Sequence, residues 1–239
     1  TVLSTHLYDR DSGSITKLFD QRPALTGAPL APMTPLEIKS RDGLTLVSYL
    51  TLPKGSDANG DGRPDRPLPL VLNVHGGPWA RDAYGFDAEH QWLANRGYAV
   101  LSVNYRGSTG FGKRFINAGN LEWAAKMHDD LIDAIDYAVR EKITTADSVA
   151  IYGGSYGGYA ALVGLTFTPE RFACGVDIVG PSNLATLLGL LPPFLGPLVY
   201  MLFRPPEYLD DVRERELEIR AMEDRFADDL HCPVCRGKV

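Results

Sequence analysis

Cysteine is scarce in this sequence of 239 residues, and its few copies exclude two common kinds of stabilisation. Three cysteines cannot form a disulfide framework. Cys232 and Cys235, with His231 beside them, offer at most three ligands, whereas a structural zinc needs about four. We interpret the cysteines as incidental and expect neither a metal nor a cofactor.

Long apolar runs and a basic surplus are also missing. The most apolar stretch, 184–203, contains Pro192, Pro193 and Pro197. It therefore predicts short helices and turns, either over a substrate pocket or in the core, and no run reaches the ~18 residues of a membrane span. A formal net charge of −6 argues against a nucleic-acid surface. We expect no membrane or nucleic-acid partner.

No signal peptide is visible at the N-terminus. The compartment, cytoplasmic or periplasmic, and the oligomeric state stay open.

The order of strand and turn patterns divides the chain into three parts. Residues 1–22 hold two strand-like segments around a turn at 11–13, which is a hairpin signal. Residues 23–35 are rich in proline and glycine and predict a linker. From residue 36 a second hairpin, expected to have one solvated face, is followed by strands that alternate with helices. This alternation predicts an α/β fold with a mostly parallel, doubly wound sheet.

Near-continuous apolar runs are typical of parallel strands that are buried on both faces. The predicted strands of this kind are 68–76, 98–107, 148–154 and 172–180. Helices are predicted at 87–97, at 121–142 and after Ser155. The second of these helices places four apolar residues on one face at helical spacing, namely Met127, Leu131, Ile135 and Ala138.

One serine is surrounded by glycine where a predicted strand ends. Ser155 lies in the sequence Gly-Gly-Ser-Tyr-Gly-Gly, and the next predicted helix begins at Tyr156. A sharp strand-to-helix turn holds its residue at positive φ and admits only small neighbours. It presents the hydroxyl at a helix N-terminus, where amides and the helix dipole stabilise negative charge. The pattern predicts a nucleophile, and an inert serine in a glycine-rich turn is the alternative.

A second glycine motif, His-Gly-Gly-Pro-Trp at 75–79, follows an earlier predicted strand. A serine hydrolase with this strand order places its other oxyanion donor there. Each backbone N–H aimed at the oxyanion of a tetrahedral intermediate is worth roughly 3–4 kcal/mol. We expect His75 to shape this loop, and His6, His90 and His128 to be ordinary packed or exposed residues.

Three segments together resemble the catalytic domain of the prolyl oligopeptidase family. They are HGGPW at 75–79, NYRGSTGFG at 104–112 and GGSYGGY at 153–159, and the resemblance extends over roughly residues 35–190. It implies an α/β-hydrolase fold, incomplete at the C-terminus, in a serine peptidase that acts on peptides. It also implies that 1–22 is the remnant of a preceding β-propeller blade, 23–35 a linker, and 36–239 a catalytic domain lacking its last strands.

The resemblance also assigns roles to individual residues. It implies that Ser155 is the acylating nucleophile and that the amides of Tyr156 and Gly77 form the oxyanion hole. The Tyr156 ring would line the pocket for the substrate side chain on the acyl side. Arg106 lies in the family's loop beside the site without a chemical step, and tying that loop to an acidic neighbour is its alternative role.

The general base and its orienting acid are the parts that the sequence does not show. In this fold the order is serine, then acid, then histidine, and His231 is the one histidine after Ser155. By the resemblance both partners would lie beyond Val239, so we expect little or no turnover from this chain alone. Asp177 with His231 is the alternative pair. Esterase or lipase activity, or peptide binding without catalysis, are alternative functions.

The segment 57–65 carries an arrangement of acidic and glycine residues similar to an EF-type calcium loop. Its twelfth place, normally a glutamate, is Leu68, and strand patterns rather than helices flank it. We favour a polar loop of turn-forming residues.

Overall fold

A six-stranded sheet and a separate two-stranded hairpin form the framework of the computed structural model, which describes residues 2–184 and 186–187. The predictions about His231, Cys232, Cys235 and most of the proline-rich apolar stretch fall outside these residues. No helix in the described part is long and apolar enough to cross a membrane.

The hairpin predicted at the start of the chain is present. Strands β1 (Ser4–Tyr8) and β2 (Ile15–Asp20) pair antiparallel, and a 3-10 helix at Pro23–Leu25 follows. Large apolar side chains of this hairpin are exposed, among them Leu7 and Ile15. Its structure is therefore held mainly by its own backbone pairing within the described residues.

The six-stranded sheet has the mostly parallel character that the strand–helix alternation predicts. Its spatial order is β3 (Met33–Lys39), β4 (Thr45–Thr51), β6 (Ala99–Val103), β5 (Leu70–Val74), β7 (Val149–Gly154) and β8 (Cys174–Ile178). Strand β4 runs antiparallel to both of its neighbours, and β6, β5, β7 and β8 pair parallel. The carboxyl ends of β5 and β7 consequently lie side by side at one edge of the sheet.

Burial follows the strand composition, with one departure from expectation. All residues of β5 and β6 are buried, as their near-continuous apolar runs predict. The hairpin of β3 and β4 was expected to have one solvated face, but the last four residues of β4 are all buried. The reason is that β4 also pairs with β6 and so becomes an interior strand. Strand β3 begins at Met33, within the segment predicted as a linker.

Helices cover both faces of the sheet: α1 (Ala88–Ala94), α2 (Lys113–Asn117), α3 (Lys126–Arg140) and α4 (Tyr156–Phe167). Helix α1 packs with Val71 and Val100, whereas α3 and α4 pack in the larger cluster with Leu72 and Leu101. Successive strand residues point to opposite faces, so these clusters lie on the two sides of the sheet.

The long helix α3 buries the face that the sequence predicts but starts later. Met127, Leu131, Ile135 and Ala138 are all buried. The helix was expected from residue 121 and begins at Lys126, because Leu121 and Ala124 have φ angles of 63° and 54°. Residues in the left-handed region cannot continue a right-handed helix.

Candidate active site

Ser155 occupies a strained turn between strand β7 and helix α4. Its φ and ψ angles are 55° and −120°, and the residue is exposed. The turn is fixed on both sides, because the Ser155 N–H donates to the carbonyl oxygen of Ile178 at 2.9 Å and its carbonyl oxygen accepts from the Tyr159 N–H at 3.0 Å. A non-glycine residue at this conformation costs of order 1–3 kcal/mol, and the surrounding bonds impose it.

The glycines around Ser155 are needed where two backbones nearly touch. A Cβ atom on Gly153 would lie 2.5 Å from the carbonyl oxygen of Gly157, and one on Gly157 would lie 2.0 Å from that of Val74. One on Gly158 would lie 2.0 Å from Oδ1 of Asp177. Gly154 differs, since its Cβ would meet nothing closer than 3.8 Å. Helix α4 can therefore approach the ends of β5 and β8 only with these small residues.

The second glycine motif lies directly against the serine turn. A Cβ on Gly76 would be 3.0 Å from the carbonyl oxygen of Gly154 and 3.2 Å from Cβ of Ser155. Gly77 has a φ of 122°, and its peptide bond to Pro78 is cis. The two segments predicted to supply the nucleophile and an oxyanion donor are thus adjacent at the carboxyl edge of the sheet.

Tyr156 combines an available backbone amide with a buried ring. It is the first residue of α4, and the first amides of a helix have no intrahelical acceptor. Only 4% of the residue is exposed, with its ring centroid 4.6 Å from that of Trp123 and 5.4 Å from that of Tyr105. The ring was expected to line a substrate pocket, but here it packs into the core below the serine, and this burial raises the pKa of the Tyr156 hydroxyl.

His75 shapes the loop that contains Gly76 and Gly77, as expected. Its Nδ1 lies 2.8 Å from the carbonyl oxygen of Gly76, and its Nε2 lies 3.0 Å from Oγ of Ser108. Its ring stacks on that of Tyr105, with centroids 4.5 Å apart, and the Tyr105 hydroxyl donates to the His75 carbonyl oxygen at 2.8 Å. Burial lowers the pKa of His75. The sequence assigned no role to Ser108, because only the folded chain brings it to the histidine.

Arg106 ties its loop to acidic neighbours, which is the alternative role that the sequence allowed. The guanidinium donates twice to Asp130, at 2.6 and 2.9 Å, and twice to Asp42, at 2.8 and 2.9 Å. The Arg106 N–H also donates to Asp130. Hydrogen bonds from Arg106, and then from Ser40, hold the pKa of Asp42 well below its usual range. The arginine is buried and so fixes the loop at 104–112 from inside.

Asp82 is a half-buried acid that the sequence did not single out. Burial, followed by the charges of Asp87 and Glu89, raises the pKa of Asp82 to about 7. Its Oδ2 atom is buried without a hydrogen-bond partner, while its N–H donates to Oδ1 of Asn104 at 2.9 Å. No motif marks this residue, because its environment arises only when the loops after β5 and β6 pack together.

His75, which is half-buried, and the buried His90 and His128 make their hydrogen bonds to groups other than Ser155. The side-chain partners are Ser108 and Tyr105 for His75, Thr51 and Ser102 for His90, and Thr168 for His128. Asp177, the acid of the alternative catalytic pair, lies within β8 and accepts from the Gly180 N–H at 2.8 Å. Its proposed partner His231 falls outside the described residues.

The acidic loop at 57–65 uses its carboxylates to hold its own backbone. The Asp57 carboxylate accepts from three loop amides, those of Gly60, Asp61 and Gly62. Within the described chain, no group of three acidic, histidine or cysteine side chains is arranged to hold a metal ion. These bonds fit the interpretation as a polar loop.

The chain matches known sequences over most of its length. Residues 84–191 match the model of the prolyl oligopeptidase family. The chain is 71% identical over 187 residues to dipeptidyl aminopeptidase BIII of Pseudoxanthomonas mexicana, a match that covers 78% of this chain and 27% of that protein. It is 47% identical over 203 residues to dipeptidyl peptidase family member 6 of Caenorhabditis elegans, a match that covers 79% of this chain and 27% of that protein. It thus spans about a quarter of the length of these curated relatives.

The fold matches solved structures of the same kind. A puromycin-hydrolysing peptidase of Mycobacterium tuberculosis superposes with a TM-score of 0.74 at 26% identity, covering 89% of this chain and 32% of that one. For the acylaminoacyl peptidase of Pyrococcus horikoshii the TM-score is 0.66 at 26% identity, and the match covers 77% of this chain and 28% of that one. The predicted α/β-hydrolase fold is confirmed, and this chain covers part of the full fold.

Proposed function

The chain belongs to the prolyl oligopeptidase family of serine peptidases, and from this premise we propose that it carries the nucleophile and oxyanion hole for hydrolysis of short peptides. The observation that supports this most is the conformation of Ser155. An exposed hydroxyl at a strained turn, next to Gly76 and at the start of α4, is placed as a nucleophile for acyl transfer requires.

The proposed reaction forms and then breaks an ester on Ser155. Its Oγ attacks the carbonyl carbon of the peptide bond while a general base takes the hydroxyl proton. The N–H groups of Gly77 and Tyr156 stabilise the oxyanion. The C–N bond then breaks as the leaving amine receives the proton. Water next attacks the acyl carbon, the base passes the water proton to Oγ of Ser155, and the ester C–O bond breaks to free the serine.

More specifically, we propose that the enzyme releases dipeptides from the N-termini of its peptide substrates. Its support is that the two relatives at 71% and 47% identity are named dipeptidyl aminopeptidase and dipeptidyl peptidase. An esterase-like activity is the alternative, since an oxyanion hole serves any acyl group. Dipeptidyl nitroanilides and nitrophenyl esters, each given to the protein with imidazole as external base, separate the two activities by which substrate acylates Ser155.

Reaction with a fluorophosphonate probe tests the nucleophile directly, with and without added imidazole. Because His75, His90 and His128 contact other groups, we expect labelling to depend on imidazole as an external base. Mass spectrometry should place one phosphonyl group on Ser155, and Ser155→Ala should abolish it. Labelling without imidazole would show that the chain itself supplies a base. Absence of labelling under both conditions would refute the proposal.

A further inference from the structure

The contact between His75 and Gly76 fixes a whole peptide unit. The carbonyl of Gly76 and the N–H of Gly77 belong to one peptide group, which is trans, so they point in opposite directions. Nδ1 of His75 holds the carbonyl oxygen at 2.8 Å on its own side, which turns the Gly77 N–H away from the ring. The Cα of Gly76 lies against Ser155, so the unit that is held borders the serine turn.

This contact is a hydrogen bond when Nδ1 of His75 carries a proton. The Tyr105 hydroxyl also lies 3.3 Å from Nδ1, but it donates to the His75 carbonyl oxygen at 2.8 Å. An unprotonated Nδ1 would present its lone pair to the carbonyl oxygen of Gly76 at 2.8 Å, and the two acceptors would repel each other. Burial lowers the pKa of His75, so near neutral pH the ring carries a single proton. With that proton on Nδ1, Nε2 is a hydrogen-bond acceptor and needs a donor.

Ser108 is the side chain that lies at Nε2. Its Oγ lies 3.0 Å from Nε2 of His75 and 2.7 Å from the carbonyl oxygen of Tyr105. The hydroxyl has one proton, which it can give either to Nε2 or to Tyr105, and both contacts are hydrogen bonds at once only when the ring is charged and Nε2 donates to Oγ. Ser108 is fully buried and belongs to the loop that Arg106 anchors to Asp130, so its position is fixed by the core.

We propose that Ser108 and His75 together orient the Gly76–Gly77 peptide unit, which makes Ser108 a positioning residue for the oxyanion hole. This inference rests on the proposed function, which gives the Gly77 N–H its role as an oxyanion donor. We call the pair the Ser108–His75 brace. It acts through the tautomer and the ring orientation of His75, and neither residue touches the substrate.

The kinetic test compares variants that retain a hydrogen-bonding group near the position of Nδ1 with variants that disturb the contact at Nδ1 or at Nε2. Asparagine at 75 can place an N–H near the position of Nδ1, whereas glutamine reaches the position of Nε2. We expect Ser108→Ala and His75→Gln to slow imidazole-assisted phosphonylation of Ser155 by roughly tenfold or more, given the ~10²–10³-fold loss for an absent oxyanion donor. His75→Asn should retain a larger fraction of the rate than His75→Gln. The reverse order would overturn the proposal.

Ser102→Ala is the matched control for loss of a buried serine–histidine bond. Ser102 is buried in β6 and its Oγ lies 2.7 Å from Nε2 of His90, so its removal perturbs the core without touching the brace. Its labelling rate should stay near that of the unmodified chain. An equal slowing in Ser102→Ala and Ser108→Ala would show a general effect of destabilisation and would count against the proposal.

Nitrogen-15 NMR of the same proteins tests the brace without any reaction at Ser155. In the unmodified chain, the ring nitrogens of His75 should show the tautomer protonated at Nδ1. Ser108→Ala should shift both these signals and the Gly77 amide signal, and Ser102→Ala should leave them in place. Unchanged His75 and Gly77 signals in Ser108→Ala would overturn the brace. If Ser155 is never labelled but these shifts occur, the proposed function fails and the brace stands as a structural device.

Discussion

At the scale of single residues, the candidate site depends on glycines that lie where two backbones meet. The carbonyl oxygen of Val74 would be 2.0 Å from a Cβ on Gly157, and no flexible side chain can move aside to relieve that contact. Gly154, on the other side of the serine, faces space that a methyl group could occupy. A glycine is therefore required for packing at position 157 but not at position 154.

Gly157→Ala should destabilise the protein by about 3 kcal/mol or more, because an overpacked site against rigid backbone exceeds the usual 1–3 kcal/mol. Gly154→Ala is the control, with an expected change below about 1 kcal/mol. Urea unfolding followed by circular dichroism measures both. Equal losses of stability in the two variants would contradict the close approach of α4 to β5.

Asp82 is a residue whose charge should oppose folding. Its pKa is raised from 3.8 to about 7, so between these pH values the folded chain keeps a proton that the unfolded chain has released. The free energy of unfolding should therefore fall as pH rises through this window. Asp82→Asn should raise stability at pH 8 by about 2–4 kcal/mol and change it little at pH 4.

Unfolding free energies at the two pH values, measured for both proteins, give this comparison. Asp11→Asn, on the exposed turn of the first hairpin, serves as the control. A lower stability of Asp82→Asn at pH 8 would show that the carboxylate is ionised and favourably bonded in the fold.

At the scale of helices and strands, buried histidines connect elements by side-chain hydrogen bonds. His90 of α1 bonds to Thr51 of β4 and Ser102 of β6, at 2.9 and 2.7 Å. His128 of α3 bonds to Thr168, the residue directly after α4, at 3.0 Å. Burial lowers the pKa of both histidines to about 4, so both are neutral in the fold at neutral pH.

These histidines predict a loss of stability in mild acid. Each has a folded-state pKa near 4 and an ordinary value of 6.5, so the unfolded chain binds protons first as pH falls below 6.5. In the Asp82→Asn background, which removes the opposing carboxylate, stability should fall between pH 7 and pH 5 by about 2 kcal/mol per histidine. Replacing His128 by asparagine should reduce this slope. A slope unaffected by the replacement would contradict the lowered pKa of His128.

The loop at 104–112 is held as an element by one buried arginine. Arg106 makes paired bonds to Asp130 and Asp42, and its side chain is 3% exposed, whereas Arg41 pairs with Asp129 and Asp133 with 51% of its side chain exposed. Arg106→Lys should cost about 3–5 kcal/mol, because lysine leaves a buried carboxylate without its paired donors. Arg41→Lys, the exposed counterpart, should cost at most about 1 kcal/mol. Thermal unfolding of both variants checks the difference, and similar shifts would refute the anchoring role.

At the scale of the whole molecule, the sequence predicted those features that local backbone geometry dictates. The turn at Ser155 and the loop at Gly77 were found because their glycine patterns report local conformation, and the positions of the parallel strands followed from buried apolar runs. The buried end of β4 was missed because its burial comes from pairing with a distant strand. Ser108 and Asp82 were missed for a similar reason, since each gains its role from a loop that is remote in sequence.

The most direct test is a crystal structure of the protein after Ser155 has reacted with a fluorophosphonate in the presence of imidazole. The geometry predicts the phosphonyl oxygen within ~3 Å of the backbone nitrogens of both Gly77 and Tyr156. A phosphonyl oxygen that points away from both amides, or a phosphonyl group on another residue, would contradict the assignment of nucleophile and oxyanion hole.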